Sequence, residues 1–264
     1  SRPQIQEQLA LHSIEARYGT GQMLGYRITD PAAMECVKEA VGELRLDIEA
    51  CFSQGLPNTP MAGSRISVIS GNFITARPVG VVEGVDFMHT GLVRKVDHES
   101  IKMSLDHHKI VLLSPLGFSP TGQAFNLAYE DVACSTATAL KADKLIFLSN
   151  IHGLFNSAGE HIAEIALPQL NKYLGEHGLP PGDLRSLLLV AAKAVKLGVS
   201  RVHLLPHNRD GAVLEELFTH DGVGTMIVAS DIENLREATI DDVGGILQII
   251  SPLEEEGVLA PRGR

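Results

Sequence analysis

Apolar residues recur along this chain with two alternating periods, and the alternation defines its elements. Over residues 32–54, Met34, Val37, Val41, Leu44 and Ile48 fall at helical spacing. They follow "TDP", an N-capping aspartate with proline in the first turn. Residues 65–81, "RISVISGNFITARPVGV", are β-rich but broken at Gly71-Asn72, which predicts a strand or a bent hairpin arm. "KIVLLSPLG" (109–117) reads as a buried strand running into a turn. An alanine-rich helix over 128–142 leads into the apolar strand "KLIFLSN" (144–150). Residues 155–182, rich in Gly, Pro and charge, read as loops around a short helix. "DLRSLLLVAAKAVKLG" (183–198) is a helix closed by Gly198. A strand in "VSRVHLL", a helix in "GAVLEELF" and a strand in "GTMIV" complete the series.

Strands alternating with helices predict an α/β fold over residues 1–228, an open, mostly parallel sheet with helices on both faces. After the linker "ASDIEN" (229–234), the pattern restarts. "LREAT" and "IDDVGGILQIISPLEEEG" read as a strand and an Asp-capped helix, so residues 235–264 open a second unit without room for a core of their own. The 264 residues suit one large α/β domain or two small ones. The chain starts on Ser1 in mid-pattern and ends on "APRGR" just after a strand–helix signal, so a piece of a longer protein is expected.

Composition narrows the partners. The net charge of −10 argues against nucleic acid and anionic membrane. No apolar run reaches the ~18 residues that a membrane helix requires. Cys36, Cys51 and Cys134 lie far apart and form no CxxC metal pattern. Reduced thiols and a cytoplasmic location are expected. "DHHK" (106–109), the one histidine cluster, reads as a solvated loop rather than a metal site.

Three segments carry candidate chemistry. In "GYRITD" (25–30), Arg27 is either a surface residue near a helix start or a carboxylate clamp, since a guanidinium forks onto a carboxylate. In "PTGQAFNLAYEDVA" (120–133), Asn126 offers a donor near a helix start, while helix capping alone accounts for Glu130 and Asp131. In "RVHLLPHNRDGAVLEELFTHDGVGTMIV" (201–228), His203, Glu216, Gly222 and Gly224 are placed toward one end of a sheet. They are either a satisfied core histidine and a solvated helix glutamate, or a ligand site.

Together these segments resemble the amino acid kinase fold, and within it the acetylglutamate-binding branch. "GYRITDPAAMECV" is similar to that branch's "GxRVTDxxTxxxV", and "KADKLIFLSNIHGLF" to its "KAEKLIFLTDVPGLL". "RPQI" (2–5) resembles the tail of its glycine-rich loop and following helix, and the stretch from His203 resembles its C-terminal "HII…LLEIFTDxGxGTMI". Two departures stand out. Where the kinases place an Asp, this chain has Glu130, and near their phosphoryl-binding Lys it has Leu187, with only Arg185 nearby. Loss of that cation removes the main electrostatic support for phosphoryl transfer. Residues 235–264 resemble the first strand and helix of a Gcn5-type acetyltransferase domain.

A kinase-like domain joined to such a domain resembles the bacterial N-acetylglutamate synthase family. That resemblance implies acetyl transfer from acetyl-CoA to L-glutamate at the first step of arginine biosynthesis, with the kinase-like domain sensing L-arginine. It implies a homo-oligomer, a hexamer in arginine-sensitive relatives. It assigns no catalytic, cofactor-binding or metal-binding residue to this stretch, with acetyl-CoA a substrate of the full-length enzyme. The implied effector site is His203, Leu204, Glu216, Gly222, Gly224 and Thr225, at the C-terminal end of "RVHLL". Glu216 would fork the guanidinium and bare glycine backbone would hold the amino-acid end. Arg27, Asn126 and Glu130 would be a remnant of an acetylglutamate pocket. The alternatives are an acetylglutamate kinase and a stand-alone arginine-sensing domain.

Overall fold

The computed structural model describes residues 2–54, 58–59, 62–150, 152–177, 183–219 and 222–230. The chain divides into two units, Ser1–Ser230 and Asp231–Arg264. The acetyltransferase-like stub and most of the expected linker therefore lie outside the described residues.

The first unit is a layered α/β structure with helices α1 (Arg2–Leu11), α2 (Pro31–Ser53), α3 (His98–Asp106), α4 (Tyr129–Leu140), α5 (Leu167–His177), α6 (Asp183–Lys196) and α7 (Ala212–Phe218). Helix α2 starts where "TDP" predicts. Asp30 caps it, its carboxylate accepting from the Ala33 N–H at 2.8 Å, with Pro31 in the first turn. Helix α3 is not foreseen by the pattern. It is polar, buries only Ile101, and is held by an Asp97 cap accepting from the Ser100 N–H at 3.2 Å. None of the described helices is long and apolar enough to cross a membrane.

Two four-stranded sheets organise the core. In one, the strands run in the order Lys144–Ser149, Arg201–Pro206, Thr225–Val228, Glu164–Ala166. In the other the order is Ala124–Asn126, Leu116–Phe118, Ile74–Pro78, Gly91–Val96. The expected bend at Gly71-Asn72 separates Val68–Ile69, which pairs in parallel with Ile110–Val111, from Ile74–Pro78, which joins the second sheet.

Pairing is mixed. Lys144–Ser149 runs parallel to Arg201–Pro206, but Thr225–Val228 runs antiparallel to it. A parallel return would need a crossover as long as the strand. The seven-residue α7 spans about 10 Å against about 20 Å for the six-residue strand, so the chain turns back instead.

The largest core cluster joins α4, α6 and the first sheet through Cys134, Phe147, Leu187, Leu188, Val202, Leu204 and Ile227, each 4% exposed or less. Burial of a side chain of this kind contributes roughly 1.5–3 kcal/mol. A second cluster, with Ile5, Leu9, Cys36, Val37 and Ala40, seats α1 on α2.

Candidate functional site

Two cavities contain the expected residues. The first, about 280 Å³, lies against the first sheet. The strand period and pairing register determine its floor. Arg201 and His203 are two apart and share a face, and the register sets Lys144 beside Arg201 and Met226 beside His203. All four line the cavity together with Glu164, Glu216, Leu217, Thr219, Gly222 and Gly224. The cavity therefore lies over the beginning of "RVHLL", not at its C-terminal end. Leu204 points to the opposite face and is fully buried in the core. Thr225 is also fully buried, and its hydroxyl donates to the Ile162 carbonyl at 2.7 Å and accepts from the Leu154 N–H at 2.8 Å. Neither residue lines the cavity, so four of the six expected effector residues meet there. Lys144, Glu164 and Arg201 are the charged lining groups that sequence reasoning missed. They open or sit in strands, where a charged residue carries no ligand signal.

Glu216 and His203 form one unit. His203 Nδ1 lies 2.7 Å from Glu216 Oε1, with the side chains 5% and 6% exposed. Glu216 Oε2 accepts from the N–H groups of Val223 at 2.8 Å and Gly224 at 3.1 Å. Burial alone would push the Glu216 carboxyl up. The hydrogen bonds from His203, Val223 and Gly224 outweigh that and hold it below the usual carboxylate range. A carboxylate offers about four lone-pair positions, and three are already taken. Glu216 therefore has one lone-pair position left, where a two-pronged fork to a guanidinium needs two.

The glycines shape the loop over this unit. Gly222 has φ +57°, and a Cβ there would meet Glu216 Oε2 at 2.6 Å. A Cβ on Gly224 would collide with the Leu204 carbonyl oxygen. Both positions let the loop close over Glu216 and press on the neighbouring strand. His203 Nε2 is buried and has no hydrogen-bond partner. In the neutral tautomer whose Nδ1–H donates to Glu216, Nε2 carries a lone pair and suits an N–H donor.

The second cavity is small, about 50 Å³, and both Arg27 and Asn126 line it, along with Arg2, Tyr18, Tyr26 and Tyr129. The Arg27 guanidinium lies over the Tyr18 ring at 5.0 Å, and its Nη1 donates to Gln6 Oε1 at 3.5 Å. Burial lowers its pKa from the ordinary value. A polar web fixes the backbone beneath it. Thr90 Oγ1 donates to the Arg27 carbonyl at 2.5 Å, and Asn126 Nδ2 donates to Thr29 Oγ1 at 3.0 Å. Glu130, 2% exposed at the start of α4, is not among the residues lining this cavity, and it pairs with Arg2 Nη2 at 2.8 Å. Its neighbour Asp131 accepts from the Tyr26 hydroxyl at 2.5 Å, and burial together with that bond pushes the Tyr26 proton well above its usual range. Two guanidinium groups at one cavity suit an anion. Its volume accommodates a carboxylate group rather than a whole acylated amino acid, since small-molecule sites run to roughly 300 Å³ and more.

Leu187 is fully buried in the main cluster, so the place where a phosphoryl-binding lysine is expected belongs to the core.

The amino acid kinase family model matches residues 1–206. The chain belongs to the amino acid kinase family. Among its relatives within and beyond that family match, the amino-acid acetyltransferase of Ralstonia nicotianae is 60% identical over all of this chain and 57% of its own length. That of Azotobacter vinelandii is 49% identical over all of this chain and 60% of its own length. This amino acid kinase family chain thus spans less than two thirds of those relatives. Among solved structures, N-acetylglutamate synthase from Neisseria gonorrhoeae complexed with coenzyme A and L-arginine matches with a TM-score of 0.80 and 31% identity, over 98% of this chain and 58% of that one. Carbamate kinase from Giardia lamblia, at 12% identity and a TM-score of 0.58, shares the fold.

Proposed function

We propose that this chain is the kinase-like regulatory part of an N-acetylglutamate synthase. The complete protein transfers acetyl from acetyl-CoA to the α-amine of L-glutamate, giving N-acetylglutamate and coenzyme A. The observation that carries the reading is 60% identity to an amino-acid acetyltransferase over the whole chain, residues 235–264 included. A structural relative complexed with both coenzyme A and L-arginine supports it. The buried Leu187 supports a kinase-like unit that no longer transfers phosphoryl groups.

Within this reading, L-arginine occupies the 280 Å³ cavity. His203 Nε2 accepts from one cationic end of the ligand, and Glu164, at the cavity wall, faces the other. Lys144 and Arg201 receive the α-carboxylate. Glu216 acts behind the ligand, fixing the histidine tautomer and the 222–224 loop. The small cavity at Arg27 and Asn126 is a remnant of an acetylglutamate pocket that keeps its carboxylate end. The complete enzyme is a cytoplasmic homo-oligomer, a hexamer, with acetyl-CoA bound in the acetyltransferase domain.

The test uses the complete gene product. Coenzyme A release from acetyl-CoA is followed with L-glutamate present or absent, and then with added L-arginine. Glutamate-dependent release that responds to arginine is the expected result. Release that ignores glutamate would sink the synthase reading, and glutamate-dependent release indifferent to arginine would sink the effector reading alone.

A further inference from the structure

We propose that His12, Cys36 and Glu39 form a binding site for a soft divalent cation, zinc foremost, on the seam between α1 and α2. Among the described residues, these are the three metal-ligating side chains that converge, with all three donor atoms within 4.8 Å of one another. They come from both helices. Cys36 and Glu39 are three apart on α2 and share a face, and His12 follows the last turn of α1. His12 Nε2 already lies 3.2 Å from Glu39 Oε2. Zinc bonds of about 2.0–2.3 Å in a tetrahedron put neighbouring donors about 3.3–3.6 Å apart. The histidine–glutamate pair is close to that spacing, and the thiol lies within 4.8 Å of both.

The movable partners are the ones that must adjust. His12 and Glu39 are each 52% exposed, while Cys36 is buried at 2% and anchored in the cluster that seats α1 on α2. A fixed sulfur with two surface ligands free to swing inward leaves the fourth position open to water. Of the carboxylates acting on the thiol, Glu35 is paired with Lys38 at 2.7 Å and Asp30 with Arg17 at 3.1 Å, which leaves Glu39 to balance the charge of a cation. Thiolate with imidazole and one carboxylate selects zinc or a similar late transition metal over magnesium or calcium. On binding, Cys36 gives up its thiol proton to solvent and its sulfur bonds the metal, while His12 exchanges its contact with Glu39 for a metal bond. The ion would pin the C-terminal end of α1, the helix whose first residue, Arg2, lines the Arg27 cavity.

The complete protein with Cys51→Ser, which removes an exposed competing thiol, is titrated with cobalt(II). The expected result is a near-ultraviolet thiolate-to-cobalt charge-transfer band with tetrahedral visible bands, both displaced by zinc and untouched by magnesium. Adding Cys36→Ser abolishes the charge-transfer band, and His12→Gln weakens zinc binding by more than about tenfold in competition with a chelating dye. His12 is exposed, so that variant keeps the fold, and circular dichroism checks this for both. No charge-transfer band in the Cys51→Ser protein, a band that survives Cys36→Ser, or unchanged zinc affinity in His12→Gln overturns the site.

Discussion

Glu216→Gln tests the buried unit beneath the larger cavity, and its consequences follow from the hydrogen bonds in place. The carboxylate accepts from His203 Nδ1 at 2.7 Å and from the N–H groups of Val223 and Gly224 at 2.8 and 3.1 Å. An amide has one oxygen. If it keeps the two backbone donors, its NH₂ faces His203, and the ring must change tautomer so that Nδ1 accepts. All three charge-assisted bonds then become neutral. Such bonds contribute about 1.5–3 kcal/mol against about 0.5–1.5 kcal/mol for neutral ones, so the loss is about 3 kcal/mol. For a unit of this size that lowers the thermal midpoint by about 6–12 °C. The tautomer change also turns Nε2 from acceptor into donor, so a cationic ligand meets an N–H where it had a lone pair. Arginine affinity is expected to fall roughly ten- to a hundredfold. Citrulline, which has no cation, should bind weakly to the unaltered protein and lose less on substitution. Calorimetry reads both quantities, the midpoint in a scan and the affinity by titration. If Glu216→Gln melts within about 1 °C of the unaltered protein and binds arginine equally well, Glu216 is an ordinary helix residue and the argument fails.

The same carboxylate gives a pH signature. Its folded pKa is depressed, so its contribution is complete above the ordinary glutamate value of about 4.3 and is lost as pH falls through the lower folded value. Denaturant midpoints of unaltered and Glu216→Gln protein should converge in that acidic range and differ at neutral pH. Gly224→Ala would drive a methyl into the Leu204 carbonyl oxygen, so a loss of about 1–3 kcal/mol in chemical denaturation is expected, together with weakened arginine binding. Incubation of the complete protein with ATP and N-acetylglutamate should release no ADP above background, because Leu187 supplies no cation. Leu187→Lys should lower the thermal midpoint without conferring turnover, since the position is inside the core.

The helices legible in the sequence were those with a strong apolar stripe or a cap that could be read directly, as at Asp30-Pro31 and in the Leu-rich α6. Helix α3 was not, because a polar helix that buries one isoleucine has almost no periodic signal. Strand directions were legible in part: two of the three pairings in the first sheet are parallel as expected, and Thr225–Val228 against Arg201–Pro206 is the exception. Alternation of elements implies parallel pairing only when each crossover is long enough to return the chain, and that depends on where α7 ends, not on its pattern.

Residue types located the larger cavity but did not assign the roles within it. Glutamate in a predicted ligand site invites an ion pair with the ligand, and glycine invites exposed backbone. Both inferences assume that these groups face outward. The register of the Arg201–Pro206 and Thr225–Val228 strands brings Glu216, His203 and the 222–224 loop into mutual contact, so three of the carboxylate's four acceptor positions are taken within the protein itself. On the proposed reading, the ligand meets the unpartnered His203 Nε2, whose chemical character Glu216 sets through the tautomer. Substituting either residue should therefore weaken arginine binding, but in distinguishable ways. His203→Gln removes the contact directly and leaves the loop bonds of Glu216 intact, so affinity falls with the smaller change in stability. Glu216→Gln lowers both. A double substitution no worse for affinity than either single one would place the two side chains on one chain of cause, whereas additive losses would show that the carboxylate touches the ligand itself.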